Sequence, residues 1–383
     1  MRFLHTSDWH VGKTLKGQSR AAEHEKVFAE ILDIIRREKI DCLLVTGDLF
    51  DSHSPPPESE RLVFDFLAEL CGLRIPSVII GGNHDHPRKL LALRDLLKRL
   101  EIHIRPEPVR PTDGGVIEIS ANGESARIAV LPFVTAGKIS DAARLFDPEA
   151  DRFQEYAERI GAMAERLAES FSSKTINILL AHLYVDGSVT SGSEREIHVS
   201  KPYAVSPQRF PSTAHYIALG HLHRPQEITG PSPCCYAGSP IQLDFGEQGQ
   251  QKRVLLVEAH PGKPAAITSV PLTSGNTLRS IAGTLEELQS QAGDFANDLL
   301  RVTVRLEKPA PGIADRIREF LPNALHINIE LPELPESSGV VTSGSDPVEL
   351  FANFYKQRNA SEPPEGVARL FRDLYEEEIH ASD

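Results

Sequence analysis

Tryptophan occurs once in these 383 residues, methionine twice and cysteine only four times. The thiols, Cys42, Cys71, Cys234 and Cys235, form no C-x-x-C pair, which excludes the usual thiolate zinc motifs and a disulfide-stapled secreted scaffold. They read as reduced thiols of a cytoplasmic protein. No apolar run approaches the ~20 residues of a membrane span, and the segment after Met1 lacks the apolar core of a secretory signal, so neither export nor membrane insertion is expected. Positive charge is scarce as well. Lys plus Arg number 41 against 54 Asp plus Glu, a net charge of −13. That balance counts against coating nucleic acid through a general basic surface, but it leaves room for a grip at one local site.

What is present is ordinary globular composition, 40% hydrophobic and 25% charged, and at roughly 150 residues per domain two or three compact units are expected. The first half alternates short apolar runs with longer amphipathic segments. Residues Arg2–Thr6, 42–46 and Ser77–Ile80 read as buried strands, and residues 22–38, 58–71 and 88–100 carry helical spacing. This βαβα order implies an α/β domain. Strands then crowd at 116–119, 126–131, 175–181, 216–219 and 253–258, with a helix expected at 148–171, so a mixed sheet or two sheets face to face should form. Beyond residue 271, strands at Leu278–Gly283, 299–306 and 325–331 with helices at 284–291 and 313–321 predict a small α+β unit. The expected division is residues 1–271, residues 272–331, a Pro- and Gly-containing linker at 332–345, and C-terminal helices within 346–383.

Each chemically suggestive phrase follows a strand, and open α/β sheets gather ligands at strand carboxyl ends. The phrases are Asp8-Trp9-His10, Gly47-Asp48-Leu49-Phe50-Asp51, Gly82-Asn83-His84-Asp85, Ala181-His182 and Gly220-His221-Leu222-His223. They offer carboxylates, an amide and imidazoles but no thiolate, a donor set suited to Mn²⁺, Fe²⁺ or Zn²⁺ and not to a structural zinc. Asp8, His10, Asp48, Asn83, His182, His221 and His223 are too many ligands for one ion. A carboxylate shared between two ions makes the count work. In extended backbone, Asp8-x-His10 and His221-x-His223 would each point both members into one cavity. Gly47, Gly81, Gly82 and Gly220 permit tight turns there. Any single phrase is commonplace, whereas five in this order, each after a strand, are not. His5, His24, His103, His215, His260, His326 and His380 are read as structural.

In this order the motifs D-x-H, G-D, G-N-H-D, H and G-H-x-H resemble the calcineurin-like metallophosphoesterase superfamily. The longer strings HTSDWHVGKTL, VTGDLFDSHSPPP, GGNHD, AHLYVDGSVTSGSERE and YIALGHLHRPQ are similar to its SbcD branch of nuclease subunits. The resemblance covers nearly the whole chain. It implies a two-sheet sandwich flanked by helices, a small α+β capping domain, and C-terminal helices that dock an SbcC-type, SMC-like ATPase. It also implies a metal-dependent DNA exonuclease and endonuclease of DNA repair, recombination and replication, with two divalent ions, Mn²⁺ foremost and Fe²⁺ or Zn²⁺ as alternatives. A homodimer within a heterotetramer is part of the same expectation.

By that resemblance Asp8, His10, Asp48 and His223 would hold one ion, and Asp48, Asn83, His182 and His221 the other, with Asp48 as the bridge. His84 would stabilise the transition state or protonate the departing oxygen, as an acid with a pKa near neutrality could. Archaeal relatives carry a second active-site histidine three residues after the bridging aspartate, where this chain has Asp51. That residue resembles the carboxylate that orients the catalytic histidine in the wider superfamily. Asp85 is a rival orienter, and His53 could occupy nearby space.

Loop cations available for a DNA phosphate are Lys13, Lys16, Arg88, Lys89, Lys201 and Arg224. Residues 187–196 read as a mobile polar loop that could gate the metals. A stand-alone phosphatase or cyclic-nucleotide phosphodiesterase could use the same ligands, and only the extra domains discriminate. A noncatalytic scaffold would have lost ligands, yet every ligand position is filled. In the last helix Val367, Leu370, Phe371, Leu374, Tyr375 and Ile379 form an apolar stripe, and Leu350, Phe351, Phe354 and Tyr355 give the preceding helix a similar face suited to docking.

Overall fold

The structure, a computed structural model, describes residues 1–147, 155–295, 298–332, 346–359 and 361–381. It divides into two compact units, Met1–Glu330 and Leu331–Asp383.

Two six-stranded sheets build the first unit. In the first sheet Arg2–Thr6 runs parallel to Cys42–Val45, which is followed outward by Ser77–Ile80 and Ile102–Arg105, all parallel. On its other side Arg2–Thr6 pairs antiparallel with Arg253–His260, which pairs with the edge strand Lys263–Pro271. In the second sheet Glu124–Leu131, Ile176–His182, Tyr216–Gly220 and Cys234–Tyr236 are parallel neighbours, flanked by antiparallel Val116–Ala121 and Gln226–Ile228.

Alternation along the strands explains how the sheets stack, because successive side chains leave opposite faces. Cys42 and Leu44 join Phe3, Val78, Ile128, Ile178 and Leu180 in a core shared by the two sheets. Leu43 and Val45 face the other way, against Val27, Phe28, Ile31, Leu62, Val63 and Phe66 of the helices Ala21–Glu38 and Pro57–Gly72. Leu179 and Ala181 of the second sheet pack on Ile139, Ala143, Ile160 and Leu167 of the helices Ile139–Phe146 and Tyr156–Ala168. Both faces of each central strand are therefore buried, which is why these strands read as unbroken apolar runs. The result is a helix, sheet, sheet, helix sandwich, the α/β two-sheet architecture expected.

Several elements depart from expectation. Within the helix expected at 148–171, Tyr156–Ala168 is helical and a separate helix, Ile139–Phe146, precedes it, while residues 148–154 lie outside the described residues. Strands Ile102–Arg105, Gln226–Ile228, Cys234–Tyr236 and Lys263–Pro271 are not among those expected from sequence. Three of them are sheet edges, where half-exposed residues of mixed polarity weaken the apolar signal.

The small α+β element is a three-stranded parallel sheet, Leu278–Gly283, Leu299–Arg305 and Ala324–Glu330, with the helices Leu285–Ser290 and Ile313–Phe320. It has its own apolar centre around Leu288, Leu300, Val302, Val304 and Ile317 and lies in the same compact unit as the two large sheets. Polar clamps tie the two sides together. Gln242 Oε1 accepts from Leu278 N at 2.7 Å and Gln248 Oε1 from Ser280 N at 2.8 Å. Glu30 accepts from the backbone N–H groups of Thr273 and Ser274.

In the second unit the helices Pro347–Asn359 and Glu365–Ala381 meet through Phe351 and Phe371, whose rings stack with centroids 4.1 Å apart. Phe354, Leu370 and Leu374 remain more than half exposed, at 55%, 59% and 56%. Residues 333–345, nearly all of the expected linker, and the side chain of Ile379 lie outside the described residues.

Candidate metal centre

The loops after Arg2–Thr6, Cys42–Val45, Ser77–Ile80, Ile176–His182 and Tyr216–Gly220 converge where the carboxyl ends of the two sheets meet. Backbone hydrogen bonds join the first loop to the second, from Asp8 N to Gly47 O, His10 N to Asp48 O and Val11 N to Leu49 O, at 3.0–3.1 Å. Between Asp8 and His10 the Trp9 ring turns into the core, edge-on to Phe28 and Phe66, with its indole N–H donated to Thr6 Oγ1 at 3.0 Å. A buried aromatic in the middle of the motif holds the flanking ligands in place.

The backbone is not extended there. Asp8, His10 and Asp48 have φ near +50° (50°, 47° and 51°), and His221 has φ +103°. The paired residues do face one cavity, but through left-handed conformations rather than strand alternation. Such backbone is uncommon outside glycine and costs on the order of 1–3 kcal/mol per residue, so its concentration on four of seven expected ligands marks a functional constraint. Gly82 is required for a different reason: a Cβ at that position would stand 2.1 Å from Asp48 Oδ1.

All seven expected ligands are buried and brought together. Ligand atoms of Asp8, His10 and His223 lie within 4.8 Å of one another, and those of Asp8, Asp48 and His182 do likewise. Asp48 Oδ2 stands 3.5 Å from both His10 Nε2 and His182 Nε2, between the two groups. Asn83 Oδ1 lies 3.0 Å from His182 Nε2 and 2.8 Å from His221 Nδ1. The outer nitrogens show which atoms are free to ligate, since a carbonyl oxygen can only accept. His182 Nδ1–H donates to Thr46 O at 2.7 Å, leaving Nε2 for an ion, whereas His221 Nε2 lies 3.3 Å from His198 O, leaving Nδ1.

The donors fit divalent cations. Both ring nitrogens of His10 are buried without a hydrogen-bond partner. Burial pushes the Asp8 carboxyl up to about 7. Burial also opposes charge on Asp48, yet His182 and His10 beside it hold its carboxyl well below the usual range. His182 is itself buried, and Asp48 and Asp8 raise it to about 9. Asp8 thus draws a proton onto itself and Asp48 stays ionised by keeping one on His182, the compensation that divalent cations would supply instead.

His84 takes a position the sequence did not foresee in detail. Its Nδ1–H donates to the backbone oxygen of Asp51 at 2.7 Å, and its own N–H is held by Asp48 Oδ1 at 2.8 Å. The expected pairing of His84 with the Asp51 carboxylate is corrected accordingly: that carboxylate lies 3.3 Å from His10 Nδ1 and 3.3 Å from Lys13 Nζ. Against the opposing effect of burial, His10 and Lys13 lower it to about 2. The rival Asp85 is no orienter either, because its buried carboxylate accepts from the N–H groups of Leu49, Phe50 and Gly82 and so fastens the second loop to the third. His53 faces His86, with ring centroids 5.8 Å apart. Burial first, and nearby His10, lower the His84 imidazole to about 4, below the near-neutral value expected. It therefore stands neutral at pH 7 in the free protein.

Sequence reasoning missed a carboxylate behind the centre. Glu247, fully buried, lies 3.1 Å from His223 Nδ1 and 2.7 Å from Lys252 Nζ. It offers the carboxylate support that metal-binding histidines commonly have, leaving Nε2 of His223 free. No local pattern announces a lone glutamate, and only its pairing with a buried lysine sets it apart. The sequence marks the loop at 187–196 but not its contacts: Ser193 Oγ lies 2.6 Å from His223 Nδ1, and Glu194 accepts from His223 N at 3.1 Å. Of the expected DNA-facing cations, Lys13 is engaged by Asp51 and Lys89 pairs with Glu60 at 3.3 Å, whereas Lys16, Arg88, Lys201 and Arg224 are exposed.

Among the described residues no helix is long and apolar enough to cross a membrane. Residues 1–225 match the calcineurin-like phosphoesterase family, and residues 275–359 match a family described as the type 5 capsule protein repressor C-terminal domain. The chain is 34% identical to the D component of nuclease SbcCD from Bacillus subtilis, over 98% of this chain and 97% of that one. It is 31% identical to the protein of that name from Rhodobacter capsulatus (87% and 88% covered) and 27% identical to that from Staphylococcus epidermidis (93% of each). With the whole length accounted for in this way, the chain belongs to the calcineurin-like phosphoesterase family, in its branch of SbcD components of SbcCD nucleases.

Proposed function

We propose that this chain is the metal-dependent nuclease subunit of a DNA-processing complex, cutting phosphodiester bonds as an exonuclease and endonuclease in DNA repair and recombination. The observation that carries the reading is the convergence of Asp8, His10, Asp48, Asn83, His182, His221 and His223 on one buried centre with no thiolate among them. Two divalent ions, Mn²⁺ foremost, one held by Asp8, His10, Asp48 and His223 and the other by Asp48, Asn83, His182 and His221, would supply the nucleophile at neutral pH and neutralise charge on the phosphoryl group in the transition state.

The chain's own groups do the rest. Asp48 lies between the two donor sets and also holds the backbone of His84. The Asp51 carbonyl fixes the His84 tautomer with its proton on Nδ1, so that Nε2 is the nitrogen left to act on the substrate. Because His84 is neutral when free, it serves as an acid only once a phosphodiester anion beside it raises its proton affinity. Nε2 then takes up a proton from solvent and delivers it to the departing oxygen.

Similarity over 98% of the chain to a component of a two-component nuclease supports a partner of the SbcC type, an SMC-like ATPase. Residues 272–331 would cap the nuclease core, residues 346–383 would dock the ATPase, and two copies of each chain would form a heterotetramer. A cytoplasmic setting suits the four free cysteines. A stand-alone phosphatase or cyclic-nucleotide phosphodiesterase explains the donors equally well but leaves the C-terminal helices without a role. The test compares Mn²⁺-dependent cleavage of linear duplex DNA with hydrolysis of a small phosphate monoester. DNA cleavage abolished by EDTA is expected, and turnover of the monoester alone would overturn the reading.

A further inference from the structure

Arg195 stands in the loop over the centre, with its Nη2 3.5 Å from His84 Nδ1. That nitrogen already donates its proton to Asp51 O, and two donors cannot bond each other. Among the described residues no carboxylate lies within ion-pair distance of Arg195, in contrast to Lys13, which Asp51 engages. The side chain is exposed, but its loop is anchored on both sides. Before it, Ser193 donates to Glu247 at 2.5 Å and Glu194 accepts from His223 N. After it, the His198 carbonyl lies 3.3 Å from His221 Nε2, and the His198 ring packs on Phe133 with centroids 4.8 Å apart. The residues flanking the guanidinium are thus tied to the two members of the G-H-x-H motif. An unpaired planar cation held beside the catalytic imidazole matches the two-oxygen face of a phosphodiester.

We infer that Arg195 is a substrate-binding residue of this site, gripping nonbridging oxygens of the phosphodiester that lies against His84. The inference deepens the proposed function and rests on the reading of the centre as a phosphodiester site. It also gives the loop at 187–196 a role as carrier of a substrate contact.

The test uses the full chain with Arg195→Ala and Arg195→Lys. A fluorescent DNA duplex is bound in EDTA at several salt concentrations, and KM is measured for bis(4-nitrophenyl) phosphate with Mn²⁺. Arg195→Ala should weaken duplex binding about tenfold and lower the slope of log affinity against log salt by about 0.9, the value for one lost phosphate contact. KM for the diester should rise by a similar factor. Arg195→Lys, which keeps the charge, should recover part of both, and Mn²⁺ stoichiometry and melting temperature should match the wild type in both variants. Unchanged duplex affinity and unchanged KM would overturn the inference, as would equal losses in both variants accompanied by lost Mn²⁺. A wild-type protein that hydrolyses the small diester but neither binds nor cuts DNA would refute the nuclease reading instead, and the KM comparison would still decide the role of Arg195.

Discussion

Asp48 reaches both donor sets and His84, the proposed catalytic histidine: one carboxylate oxygen faces His10 and His182, and the other receives the N–H of His84. Asp48→Ala should therefore abolish binding of both ions, whereas Asn83→Ala, which removes an oxygen near His182 and His221 only, should weaken one, as read by calorimetric Mn²⁺ titration. His84→Gln should retain metal and DNA yet cut about 10²–10⁴-fold more slowly in single-turnover assays, the range for a lost general acid. Since the backbone of Asp51 and not its carboxylate holds His84, Asp51→Asn alone should leave that step at the wild-type rate. An Asp51→Asn variant slowed in that step, with no further loss when it is combined with His84→Ala, would restore the carboxylate pairing. The proposed ligands were legible in sequence because they follow apolar strands. The Asp51 contact was not, because a backbone carbonyl leaves no trace in residue type, and Glu247 lies too far along the chain from the histidine it supports.

Strands and loops matter here as pairs. His5 on Arg2–Thr6 reaches across to the other sheet, with Nδ1 2.8 Å from Tyr216 OH, while Nε2 lies 2.9 Å from Thr46 Oγ1, one residue beyond Cys42–Val45. Burial lowers its imidazole to about 3, against an unfolded value near 6.5. The native state thus favours the neutral ring. Its contribution is complete above pH 6.5 and is lost as pH falls from 6.5 toward 3, about 2 kcal/mol between pH 7.5 and 5. Urea unfolding of the metal-free protein should show stability falling over that interval, and His5→Gln should flatten the fall by that amount even if it lowers stability throughout. An equal pH dependence in the two proteins would mean that His5 is not buried neutral. The central strands were readable because both faces are buried. The edge strands Gln226–Ile228 and Lys263–Pro271, with exposed and intermediate residues along their length, carry too little apolar signal to be read alone.

At the scale of the molecule, Met1–Glu330 and Leu331–Asp383 are separate compact units, and the second exposes Phe354, Leu370 and Leu374. Burying such side chains against a partner is worth roughly 1.5–3 kcal/mol each, enough to hold a complex after ordering costs. Deleting residues from Asp346 onward should leave a folded, Mn²⁺-binding nuclease with an unchanged melting temperature that no longer co-purifies with an SMC-like ATPase. Retained association would place the dock elsewhere. The change of composition after residue 271 was legible in the sequence, while the clamps that join the two sides, Glu30, Gln242 and Gln248, were not, because they are scattered polar residues. The central claim is that one buried centre holds two ions and cleaves DNA with them. It is tested most directly by titrating Mn²⁺ into the metal-free chain while following bound metal and cleavage of linear duplex DNA in the same samples. Two ions per chain, with cleavage rising only as the second binds, is the predicted result; saturation at one ion with full cleavage would contradict it.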